Sequence, residues 1–214
     1  MNNSPESYLA THFNGLQLEP ALFYEWQNSI RFEISNPQIE YDDPAVMQQA
    51  FYRSITLFNQ VFAPLDDILV VTDVATKANN NFLHHKPLNV YRKYIKEQRI
   101  LDQLQLQERD NTEEEVKIYR FWLGCKKGDV RYPQLLRALC YEDFRHSSSI
   151  LKSNPESGSN VYFINQTKKI IFHLYDDRGC DILAADKEDI RFLYNEYNEW
   201  ILNYDRKEID STFR

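Results

Sequence analysis

Residues 161–184 read V-Y-F-I-N-Q-T-K-K-I-I-F-H-L-Y-D-D-R-G-C-D-I-L-A, and this stretch decides the fold. Three apolar runs (161–164, 169–175 and 180–184) are separated by the polar turns N-Q-T-K and D-D-R-G. Short β-rich runs bounded by Asn, Asp and Gly are hairpin-connected strands. The stretch is therefore expected to form a three-stranded antiparallel meander. In its second turn, Asp and Arg suit the right-handed positions of a type I turn. Gly179 is expected to supply a left-handed residue closing a G1 bulge, and Asp176 to bond the turn amides. Asp186 then caps a helix, with Asp189 at its third position. Ile190, Leu193, Tyr194, Tyr197, Ile201 and Tyr204 fall at helical spacing as its buried stripe.

Working towards the N-terminus, Asp129–Phe144 reads as a helix with Pro133 in its first turn. Val116–Cys125 reads as a strand, and Leu88 to about Gln107 as an interrupted helix. Asp67–Thr72 (D-I-L-V-V-T) is an apolar run suited to an interior strand. Asp43-Pro44 starts a helix whose Met47, Phe51, Ile55, Phe58 and Phe62 make a core stripe. Ile30–Ile34 alternates apolar and charged, the period of a half-buried strand. Ser4-Pro5-Glu6 starts a short helix that Asn14-Gly15 stops. Ala78–Lys86 reads as a loop. The order predicts an α+β fold: a mixed sheet with the C-terminal meander, layered with helices. Residues 1–214 are read as one domain, with flexible loops at 108–115 and 147–160.

The chain has 214 residues, and 43% are hydrophobic. A chain of this length buries about 70% of its unfolded surface and needs no staples. No run of ~18 apolar residues exists, which argues against a membrane span. The N-terminus lacks the basic and apolar segments of a signal peptide. Three cysteines without C-x-x-C spacing fit free thiols in a reducing compartment. The expected location is cytoplasmic. The net charge is −7, which disfavours nucleic acid as a partner, because its binding rests on neutralising phosphates with cations. Eleven acids against six bases between Asp176 and Arg214 account for most of that charge.

Phosphate loops, dinucleotide fingerprints, G-x-S-x-G elbows and H-E-x-x-H are all absent from the sequence, and no cofactor or metal is expected. The densest polar constellation is His173, Tyr175, Asp176, Asp177, Arg178 and Asp181. As chemistry, His173 would be a base oriented by Asp181, or a metal ligand with Asp176 or Asp181. As structure, Asp176 and Arg178 fasten the hairpin while His173 satisfies a core hydrogen bond. His84-His85 project apart on an extended chain, and a Cys140–His146 couple is a remote nucleophile. Cys125 and Cys140 fit core positions. Aromatic residues make up 14% of the chain, with Tyr194, Tyr197, Trp200 and Tyr204 set among carboxylates.

The block from Val161 to Ala184, with Y-N-E-W-I-L-N-Y-D-R (197–206), F-N-G-L-Q-L-E-P-A-L-F-Y-E-W (13–26) and I-R-F-E (30–33), resembles an uncharacterised bacterial family, domain of unknown function 3885. Y-D-D-R-G-C-D is the most specific part. The resemblance implies no catalytic residue or substrate. It implies kinship with small cytoplasmic accessory proteins of bacteria that carry polymorphic toxins.

The expected function is therefore a cytoplasmic binding protein, an immunity- or antitoxin-like partner of a basic protein. Asp176, Asp177, Asp181, Glu196, Glu199 and Trp200 are its contact candidates, and acidic residues would steer the encounter. The alternatives are a hydrolase-type enzyme centred on His173 and Asp181, and a self-associating module using a sheet edge or the Tyr-rich helix.

Overall fold

The computed structural model describes residues 4–36, 44–77, 89–109, 116–144, 150 and 157–214. Seven strands, β1 (Ser29–Glu33), β2 (Asp67–Lys77), β3 (Gln105–Arg109), β4 (Val116–Lys126), β5 (Gly158–Asn165), β6 (Ile170–Leu174) and β7 (Gly179–Ala184), form one sheet. The strand order is β1-β7-β6-β5-β2-β4-β3. Seven α-helices accompany them among the described residues: α1 (Pro5–His12), α2 (Pro44–Val61), α3 (Asn89–Tyr94), α4 (Gln98–Leu101), α5 (Tyr132–Cys140), α6 (Arg191–Glu196) and α7 (Arg206–Phe213).

The class is α+β, but the sheet is not mixed. Every neighbouring pair is antiparallel. The strand–helix–strand alternation around α2 suggests parallel neighbours, and the strand order explains why none form. β1 and β2 do run the same way, but three strands lie between them. β4 and β5 likewise share a direction on opposite sides of β2. Each connection through a helix thus steps over oppositely directed strands.

One face of the sheet carries the larger core. Phe58 of α2 stacks on Phe62 at 4.2 Å between ring centroids and meets Phe163 and Phe172 edge-on at 5.0 and 5.2 Å. These rings are fully or almost fully buried, each contributing roughly 1.5–3 kcal/mol of burial. Helix α5 adds Leu135, Leu136 and Leu139 to the same cluster. The N-terminal segment covers the other face. Ser4 caps α1 by accepting from the Ser7 amide at 3.2 Å. Leu9, Phe13, Leu18 and Leu22 then pack on Leu69, Val71, Ile164, Ile171 and Leu183. Strand β1, expected to have one wet face, is thereby enclosed on both: Arg31 is buried with Ile30 and Phe32.

Three expected elements differ. The helix over 88–107 ends early and gives way to β3, because Leu104 and the alternating Q-L-Q-E-R extend alongside β4. The loop at 108–115 begins inside β3, and residues 158–160 of the expected loop 147–160 belong to β5. The remainder of both loops falls outside the described residues, except Ser157, which bonds Thr76, and Ile150, which is buried in the larger core. So do Asp43, the whole of the expected loop 78–86 with its histidines, and His146. The helix expected after Asp186 is broken. A 3-10 turn, α6 and a second 3-10 turn (Asn198–Trp200) precede an extended residue, Ile201, which bridges to Phe32. The Leu202 amide donates to the Arg31 carbonyl at 3.1 Å. The chain thus closes the free edge of β1 instead of continuing as a helix, which satisfies otherwise open backbone groups.

Candidate functional site

Two features stand out: a line of polar side chains under the N-terminal segment, and a cluster of accessible aromatic rings near the C-terminus. The polar line follows from strand register. Arg31 lies opposite Asp181, Asp181 opposite His173, and His173 opposite Tyr162. All four share one face across four strands.

Arg31 holds Asp181 through both oxygens, Nε to Oδ1 at 2.7 Å and Nη2 to Oδ2 at 2.9 Å. The Phe23 amide donates to the same carboxylate at 3.1 Å. Burial pushes the Asp181 carboxyl upward, opposed by Arg31 and the Phe23 amide. The guanidinium also faces the rings of Phe23, Tyr24 and Tyr175 at 5.2, 4.7 and 5.8 Å. Asp205, just before α7, lies 3.6 Å from Arg31 Nη1 and accepts from the Tyr24 hydroxyl at 3.0 Å. Arg31 thereby ties β1 to β7, to the 3-10 turn at 22–25 and to the C-terminal segment. An equivalent knot lies across the sheet. Arg120 donates to Asp73 at 2.7 and 2.5 Å, to Glu6 of α1 at 2.8 Å and to the Leu18 carbonyl at 3.3 Å.

His173 is fully buried and stacks on Tyr162 at 4.4 Å. Neither ring nitrogen has a hydrogen-bond partner among the described residues, so the expected satisfied core hydrogen bond is not formed. Burial, reinforced by Arg31, lowers its pKa to about 3. The hydrolase arrangement therefore finds no support in this geometry. His173 and Asp181 are neighbours in register, but the carboxylate is committed to Arg31 and Phe23, and both side chains are sealed from solvent. A general base needs access to its substrate. The thiols are not poised for attack either. Burial pushes Cys125 and Cys140 up to about 12 and Cys180 well above its ordinary value. Among the described residues no group of three or more His, Cys, Asp or Glu is placed to hold a metal ion.

The D-D-R-G turn is inward rather than outward. Asp176 accepts from the Arg178 amide at 2.7 Å and from its Nε at 2.8 Å, with Nη2 closing the pair. Asp176, Asp177 and Asp181 are all buried, so these three contact candidates are structural where they stand. Gly179 does not supply a left-handed residue. Among the described glycines only Gly15 has positive φ, at 77°. Gly179 sits instead in β7 opposite Glu33. A Cβ there would collide with the Tyr175 hydroxyl and lie 2.8 Å from the Phe32 carbonyl oxygen. The position demands glycine for space, not for backbone freedom.

The remaining candidates lie on the surface. Glu196 and Glu199 are exposed and Trp200 is half-buried. Trp200 meets Tyr52 of α2 edge-on at 5.9 Å and Tyr197 at 4.8 Å. The Arg53 guanidinium lies over the Trp200 ring at 5.0 Å. Tyr52 is 65% exposed and Tyr204 86% exposed. Tyr24, half exposed in the 3-10 turn at 22–25, reaches the C-terminal segment through its hydroxyl, which donates to Asp205. Tyr52 and Tyr24 were not legible as site residues, because helix α2 shows only its core stripe in sequence. The run of aromatics at 194–204 was the available signal.

The chain is thus an α+β protein built on one antiparallel sheet, with its polar residues locked inside and its accessible rings gathered near its C-terminus. It belongs to the family described as Domain of unknown function (DUF3885), whose model matches residues 6–205. It is 30% identical over 213 residues to the "Uncharacterized protein YnaE" of Bacillus subtilis (strain 168), covering 92% of this chain and 96% of that protein. No solved structure matches it. Among the described residues no helix is long and apolar enough to cross a membrane.

Proposed function

We propose that this protein is a cytoplasmic binding module that docks a basic protein partner, in the manner of an immunity or antitoxin protein. The supporting observation is the accessible aromatic cluster of Tyr52, Tyr197 and Trp200 flanked by the exposed carboxylates of Glu196 and Glu199. Tyr and Trp combine large contact area with a polar handle, and dominate binding energy where they anchor an interface. The surrounding carboxylates, on a chain of net charge −7, favour a cationic partner and speed its capture. Free cysteines at Cys125, Cys140 and Cys180 suit a reducing compartment.

The contact set is Glu196, Glu199 and Trp200 from the sequence reading, joined by Tyr52. The experiment is affinity capture from the native host at low salt, comparing wild type with Tyr52→Ala and with Glu196→Lys/Glu199→Lys. A basic protein retained by wild type and lost with either variant and at high salt supports the reading. Capture indifferent to both variants overturns it. Sizing across a concentration range separates it from self-association, which would give a mass that rises with protein concentration.

A further inference from the structure

Where residues 13–19 pass beside Glu25 and Trp26, a cavity of about 380 Å³ opens to the surface. Its apolar side is the half-buried Trp26 ring, backed by Phe13 at 5.3 Å between ring centroids. Phe13 is fully buried. The Trp26 indole N–H donates to the Ala184 carbonyl at 2.7 Å, which fixes the ring against the end of β7. The polar side carries the carboxylates of Glu19 and Glu25, both exposed. Neither is ion-paired among the described residues. Arg109 reaches the rim, donating to Gln17 Oε1 at 3.2 Å, and its charge is shared with Asp73 at 3.6 Å, not with Glu19 or Glu25. Gln17 in turn donates to the Gly15 carbonyl at 3.0 Å, so its amide is spent within the rim.

A fixed indole with two unneutralised carboxylates selects a particular chemistry. Anions are repelled. A neutral apolar group gains the ring but leaves the carboxylates unused. A cation on an alkyl stem uses both, packing on the aromatic wall while its charge meets the carboxylates. The volume lies within the range of small-molecule pockets. We propose that this cavity binds an organic cation of the alkylguanidinium or alkylammonium class, presented as an arginine or lysine side chain of the basic partner. The side-chain source rests on the binding-module reading above. Glu25 directly follows Tyr24 in the chain, so the cavity adjoins the exposed Tyr24 residue.

The probe is N-acetyl-arginine methylamide, titrated into the full chain and followed by heteronuclear NMR at the Trp26 indole N–H and the Gly15 amide. The neutral urea isostere N-acetyl-citrulline methylamide is the control. Saturable shifts at both signals with the arginine probe, absent with the control and roughly fivefold weaker in Glu19→Gln/Glu25→Gln, are expected. Both carboxylates are exposed, so this variant keeps the fold, and its spectrum verifies that. No saturable shift, an equal response to the neutral isostere, or no change in the variant overturns the proposal. The binding-module reading fails separately, when Tyr52→Ala and Glu196→Lys/Glu199→Lys leave capture intact. Probe binding without such capture keeps the cation site and removes the protein partner as its source.

Discussion

The imidazole of His173 lies flat on the ring of Tyr162, 4.4 Å between centroids, with both nitrogens sealed away from water and from any hydrogen-bond partner among the described residues. A histidine so placed is held neutral, with its pKa lowered to about 3 from an ordinary 6.5. Between those values the unfolded chain binds the proton and the folded chain does not, so stability rises with pH. The contribution is fully present above pH 6.5 and drains as pH falls towards 3, at up to about 1.4 kcal/mol per pH unit. Denaturant unfolding at a series of pH values checks this. The wild type is expected to lose stability below pH 6.5 more steeply than His173→Phe. That variant also removes two unsatisfied polar atoms at similar shape, so it should match or exceed wild-type stability at neutral pH. Parallel pH profiles for the two proteins would contradict the account.

Arg31 and Asp181 form a buried bidentate pair, and removing one member strands the other. Asp181→Leu and Arg31→Met are each expected to cost about 3–5 kcal/mol, whereas Arg31→Met/Asp181→Leu should recover most of that loss. A double-mutant cycle in equilibrium unfolding measures the coupling. Additive losses would mean that the two side chains contribute independently.

Gly179 is held by space. Gly179→Ala is expected to destabilise by about 1–3 kcal/mol, as overpacked positions do. Gly179→Ala/Tyr175→Phe should return only part of it, because the Phe32 carbonyl oxygen still lies 2.8 Å from the new Cβ. A neutral Gly179→Ala would show that β7 shifts freely away from β1. Thermal unfolding of the wild type and the two variants gives the ordering.

The local sequence signals were sound where a single element decided them. Ser4-Pro5 starts α1, the run at 67–72 lies inside the interior strand β2, the runs at 161–164 and 180–184 lie within β5 and β7, and residues 170–174 of the run at 169–175 form β6. What could not be seen was which surfaces meet. Arg31, Asp73 and Arg120 alternate with apolar residues and look solvated, until the N-terminal segment is laid over that face. The acidic turn looked outward for the same reason: a short-range carboxylate–guanidinium clamp and an exposed charge have the same letters. The broken helix after Asp186 reflects tertiary override, since Ile201 gains the β1 edge by leaving helical geometry. That Glu196 and Glu199 lie at the surface beside Trp200 was legible because a run of aromatics among charges needs no partner element to be recognised. Tyr52 was not, because its half of the cluster comes from a distant helix.

The Arg120 knot fixes how the N-terminal segment is held, and its two carboxylates should not weigh equally. Asp73 is buried and takes two hydrogen bonds from Arg120, whereas the Glu6 side chain is 40% exposed and takes one. Asp73→Asn leaves a buried guanidinium short of charge and is expected to cost about 3–5 kcal/mol of global stability. Glu6→Gln removes a solvent-screened contact and should cost under about 1 kcal/mol. Its effect should instead be local. Helix α1 loses a link to the sheet, so amides of residues 8–13 should exchange faster while those of β2 and β5 keep their protection. The N-terminal segment roofs one face of the sheet, with α1 packed in the cluster of Ile164 and Ile171 and the 3-10 turn at 22–25 on the Arg31–Asp181 pair, and the same variant tests whether that roof opens independently of the sheet. Faster exchange spreading to β6 and β7 would mean that roof and sheet unfold as one unit.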